Sequence, residues 1–147
     1  MPTLLEQLTV PGKRQQVIGD CALLIEEEVR RKGGLAGAAI KLAFSTVKAV
    51  KPGFIEEAVD SLLDDFARRL DPFYQSHRQE ATSSLPDHFA RHSGAIADAL
   101  LGITDERAQR ARNQVVRRAY DKLRPSARKH VEEAVPGIGR LIEKHTA

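Results

Sequence analysis

The chain has 147 residues, 41% hydrophobic and 29% charged, with a net charge of +3. It is long enough for one domain with a core of its own, too short for two, and too apolar for a disordered chain. One cysteine excludes an internal disulfide and a thiolate metal cluster, and the opening MPTLLEQLTVPGKRQQ lacks the basic stretch and apolar run of a secretory signal, so a cytoplasmic protein is expected.

Every strong periodicity along the chain is helical. A short helix is expected over residues 3–8 and a longer one over 11–32, with Val17, Ile18, Cys21, Leu24, Ile25 and Val29 as its apolar face and Gly33-Gly34 as its stop. Cys21 on that face reads as a small core residue, since reactive thiols need exposed, electropositive surroundings. The third segment, LAGAAIKLAFSTVKAV at 35–50, is apolar almost all round, with only Lys41, Ser45 and Lys48 as a polar stripe. Such a helix has to be covered by other helices, by a second copy of the chain or by lipid. At about 16 residues with two lysines it is too short to span a bilayer.

The fourth helix, 54–70, repeats Phe54, Ile55, Ala58, Val59, Leu62, Leu63, Phe66, Ala67 and Leu70 without exception. Glu56, Glu57 and Asp60 come first and Arg68 and Arg69 last, as the helix dipole favours. Asp64–Arg68 and Asp65–Arg69 are spaced as i,i+4 pairs, and Pro72 is the expected stop. The tight Lys51-Pro52-Gly53 connection makes the two helices over 35–70 a central hairpin. Residues 76–84, SHRQEATSS, have no period and read as a hinge between two halves. Ser84 then caps a helix from Pro86 that bends near Ser93-Gly94, and Thr104 caps a helix over 105–124, followed by restarts at Pro125 and Pro136. No alternating β-branched run occurs, so the fold class is all-α: a single helical domain over 1–147, a bundle of about six or seven helices.

Motifs that carry a reaction are missing: there is no GxGxxG after a strand, no GxxxxGK[ST], no GxSxG and no HExxH. His88 and His92, four apart in HFARH, leave one helix face as zinc-ligand pairs do. No further ligand stands in a recognisable motif, so two partly exposed structural histidines and no metal are expected. The acids Glu56, Glu57, Asp60, Asp64 and Asp65 lie opposite the apolar stripe beside arginines, which keeps them ionised on a solvated face rather than poised for acid–base work. No cofactor, no small-molecule substrate and no enzyme activity are expected.

Binding roles remain. The net charge is +2 over residues 1–50, −4 over 51–103 and +5 over 104–147, so the basicity belongs to the last third. There Arg107, Arg110, Arg117 and Arg118 share a broad arc of the helix expected over 105–124 and form a candidate polyanion-binding face. Tyr120 is the lone aromatic of that region, and no nucleic-acid-binding motif accompanies it, so a solvated face is the plainer reading. Lys41, Lys48 and Lys51 flank the apolar 35–50 helix as headgroup-seeking residues would, but the chain has no tryptophan for a membrane interface. The third and fourth helices carry more apolar surface than a short bundle covers, and Ile40, Phe44, Val47, Leu63 and Phe66 are the candidate partner interface. The expectation is a non-enzymatic binding or scaffolding protein that associates with itself or another protein, with nucleic acid or a membrane surface as alternative partners.

The segments GLAGAAIK, VKPGF, LDPFY, ITDERA and AYDKLRPSARKHVEEAVPGIGRLIEKH resemble a family of short bacterial proteins of unknown function, often actinobacterial. The resemblance runs over nearly the whole chain. It implies a bacterial cytosolic protein whose full length is the domain, and it carries no activity.

Overall fold

The computed structural model describes residues 2–80 and 83–146. Among them are seven helices and no strand: α1 (Leu4–Leu8), α2 (Lys13–Arg31), α3 (Gly34–Val50), α4 (Phe54–Glu80), α5 (Leu85–Arg91), α6 (Ser93–Gln109) and α7 (Gln114–Thr146). The chain is a single all-α domain, as its periodicity requires. Short side chains start two of the helices where the sequence places them. The Thr3 hydroxyl accepts from the Glu6 N–H at 3.1 Å, and the Ser84 hydroxyl from Asp87 N–H at 3.3 Å. Gly53 takes φ 80° in the turn between α3 and α4, a conformation that a side chain would resist.

The core forms where α4 meets α1, α2 and α6, and where α7 closes over α5. Val59, Leu63, Ala67, Leu70 and Tyr74 are the inward stripe of α4, against Leu4, Leu8, Val17 and Ile18. On the other side Leu85, Phe89, Ile96, Val135 and Ile142 are buried together. Gly139 lets α7 approach α5 backbone to backbone: a Cβ there would stand 2.8 Å from the Pro86 Cα. The central element is therefore α4. Helix α3 adjoins it but lies mainly against α2 and α7, so the hairpin expected over 35–70 is not the centre of the bundle.

Four helix boundaries differ from the sequence reading, each because tertiary contacts outweigh a local rule. Pro72 does not end the fourth helix, which runs on to Glu80. An interior proline costs about 3 kcal/mol, and here the turn that holds it is anchored. Asp71 Oδ1 accepts from the Leu4 N–H at 2.8 Å, capping α1, and Tyr74 is buried one turn on. Residues 76–80 of the expected hinge are thus helical, Ala81 and Thr82 lie outside the described residues, and His77 Nε2 sits 2.7 Å from the Ser83 carbonyl. Thr104 caps nothing; it lies inside α6, which continues to Gln109. The break comes later, and Asn113 is the cap: its side-chain oxygen accepts from Val115 N–H at 2.9 Å and Val116 N–H at 3.2 Å. Finally, Pro125 and Pro136 do not restart helices but sit within the unbroken α7. Arg124 is anchored to Asp105 beside the first, and Val135, Gly137 and Gly139 are buried around the second.

Candidate interaction surface

Helix α3 is apolar on two sides, and the fold uses one of them. Ile40 and Val47 are buried and Phe44 is half-buried, on the arc that meets α2 and α7. Lys48 Nζ stands 5.2 Å over the Phe44 ring and pairs with Glu26 of α2 at 3.0 Å. Lys32, at the end of α2, reaches Glu133 of α7 at 3.0 Å and holds that carboxyl below its usual range. Leu63 is in the core of α4, and Phe66 is half-buried against it. All five residues expected at a partner interface are therefore turned into the protomer itself.

The opposite arc of α3 is bare. Leu35 is 92% exposed, Leu42 66% and Val50 46%. Ala38, Ala39, Ser45, Thr46 and Ala49 between them are exposed too. Leu35, Leu42 and Ala49 fall seven apart, with Ala38 and Ser45 at the intervening positions, which is the spacing of a coiled-coil seam. No charge interrupts the stripe; Lys41 stands at its edge, and Lys48 and Lys51 are held by Glu26 and Glu57. The sequence reading missed this stripe because the helix is apolar all round, although the seven-residue spacing was there to be read.

The candidate polyanion face is divided. Arg107 and Arg110 are on α6, while Arg117 and Arg118 are on α7, beyond the break. Arg107 bonds Asp65 at 3.1 Å and Ser61, and Arg110 pairs with Glu106. Of these four, Arg117 and Arg118 are the two without an ion pair among the described residues. Nearby, Asp105 is held below its usual range by hydrogen bonds from Arg124 at 2.7 Å and from Tyr120, whose own pKa burial and that carboxylate push up to about 12. Asp60, Asp64 and Asp65 of α4 are likewise paired, though not with the arginines the spacing suggested. Arg14 of α2 bridges Asp60 at 2.9 Å and Asp64 at 2.7 Å, and Asp65 takes Arg68 and Arg107.

His88 is 1% exposed, not partly exposed as expected, while His92 is at the surface. Among the described residues no group of three or more histidine, cysteine, aspartate or glutamate side chains is placed to hold a metal ion. Burial pushes the Cys21 thiol up to about 11, which keeps it protonated. No helix of the described residues is long and apolar enough to cross a membrane.

A helical domain whose most apolar helix leaves one face uncovered is the class of protein that fold and surface define. The chain belongs to a family of unknown function, DUF6918, whose model matches residues 4–146. No curated protein and no solved structure matches it.

Proposed function

We propose that this is a non-enzymatic helical binding protein that self-associates through the outward face of α3. The observation that carries the reading is the uncharged stripe Leu35, Ala38, Leu42, Ala49, exposed at seven-residue spacing. Two such stripes related by a two-fold axis would pack leucines against small residues, and the alanines permit close approach of the backbones. The size of the stripe sets the strength. Seventeen residues make a helix about 25 Å long and about 10 Å wide, so the seam offers on the order of 300 Å² per protomer, against about 800 Å² in a standard interface. The dimer is accordingly weak, micromolar or looser, and suited to reversible assembly.

A cysteine placed at position 42 tests the geometry. Leu42→Cys at tens of micromolar should oxidise to a disulfide-linked dimer. Arg118→Cys, exposed on α7 and not part of the stripe, should not. The native Cys21 is present in both variants, so any crosslinking through it is common to the two. Equal crosslinking of the two variants would refute the α3 interface.

A further inference from the structure

A second apolar feature lies away from α3, between α4, α6 and the first turns of α7. Ala58 and Leu62 of α4, Ala108 of α6, Ala111 in the connection that follows it and Val116 of α7 face one another across a groove of about 410 Å³. It exists because three alanines stand where larger side chains would close the gap, and its volume is within the range of small-molecule sites, roughly 300–1,000 Å³. Its polar neighbours are mostly engaged. The Tyr120 and Thr104 hydroxyls bond each other at 2.7 Å and Tyr120 donates to Asp105, so they have little left to offer an occupant. Glu57 is paired with Lys51 at 2.9 Å, and the Arg107 fork is taken by Ser61 and Asp65. The exception is Arg117, which lines the groove, is exposed, and makes no hydrogen bond through its guanidinium and no ion pair among the described residues, even with Asp121 one turn on. The wall above it is open to solvent: no residue of α7 before Val135 is buried, and Tyr120 and Arg124 clasp that half of the helix to Asp105.

We propose that this groove binds a single-chain fatty acid, its hydrocarbon tail along the alanine-lined walls and its carboxylate on Arg117. Carbon walls with one free cation at the side fit that chemistry. An uncharged chain leaves Arg117 unused, and a cationic head is repelled by it. The site is independent of the α3 stripe, so either can fail without the other.

The test is calorimetric titration of the 147-residue chain with dodecanoate, dodecanol and dodecyltrimethylammonium, the two ions below their micelle concentrations and the alcohol below its aqueous solubility. Dodecanoate should bind with one site per chain, at least about tenfold tighter than dodecanol, and the ammonium amphiphile weakest. Arg117→Glu should cost dodecanoate about tenfold or more while leaving dodecanol within about twofold. Ala108→Trp, which fills the groove, should abolish binding of both; Ala111→Leu serves the same purpose if the tryptophan variant fails to fold. Failure of dodecanoate to bind overturns the proposal. So does binding that survives a folded groove-filling variant, or that treats acid and alcohol alike. Running the series on Leu42→Glu as well keeps the outcome separate from self-association: binding confined to the dimer would place the ligand at the α3 seam and overturn this site.

Discussion

Acid should loosen this protein through one imidazole. His88 is 1% exposed, and its Nε2 has no hydrogen-bond partner among the described residues. Its ring lies 4.8 Å from that of His92 and 5.5 Å from that of His77, centre to centre, while Glu80 reaches only to 3.8 Å from Nδ1. Burial first, then the neighbouring His92, hold its pKa below the ordinary 6.5; His77 and Arg91 push the same way and Glu80 opposes them. The folded protein thus refuses a proton that the unfolded chain accepts. Its contribution to stability is complete above pH 6.5 and is lost as the pH falls below it, at a limiting rate of about 1.4 kcal/mol per pH unit. For a chain of 147 residues that limit corresponds to at most about 3–5 °C in Tm per unit. His88→Leu, close in volume, removes both the titration and the unmet ring nitrogen, whose burial costs about 1–3 kcal/mol. Thermal melts from about pH 8 to about pH 5 should find the variant at least as stable as the native protein at the alkaline end. The gap should then widen in its favour as the pH falls below 6.5, by no more than about 3–5 °C per unit. Parallel melting curves across that range would refute the reasoning.

Two further changes probe the packing. Leu63→Asp buries an unpaired carboxylate where Leu63 is 4% exposed, a penalty of several kcal/mol; loss of the cooperative melt is expected, and a folded, native-like variant would contradict the central position of α4. Gly139→Ala sets a methyl group 2.8 Å from the Pro86 Cα, backbone that cannot swing aside; denaturant titration should record a loss of about 1–3 kcal/mol, whereas no loss would mean that α5 and α7 are not in close contact.

How much of this was legible in the sequence depends on which face a residue pattern exposes. The stripe of α4 was plain because Val59, Leu63, Ala67 and Leu70 are inward and Asp60, Asp64 and Arg68 are not, so composition and burial agree. On α3 they cannot agree. Ile40, Phe44 and Val47 compete with Leu35, Leu42 and Val50 for the inside, and only contact with α2 and α7 decides between them. The boundaries failed where a local signal met a distant one. Pro72 reads as a stop until Asp71 is seen capping α1, and Thr104 reads as a cap until its hydroxyl is seen bonding Tyr120 sixteen residues later. The cap in use is Asn113, which the sequence reading did not single out. The burial of His88 was hidden because HFARH alone does not say that α5 packs on both α4 and α7.

The association of α3 with its counterpart is most directly measured by sedimentation equilibrium over a concentration series reaching hundreds of micromolar, on the native chain and on Leu42→Glu. The native protein should pass reversibly from monomer to dimer with a micromolar or weaker Kd. The glutamate variant, altered at a residue already 66% exposed, should keep the native melting temperature and remain monomeric throughout. A native chain that stays monomeric over the whole series, or a dimer that Leu42→Glu leaves intact, would contradict the account.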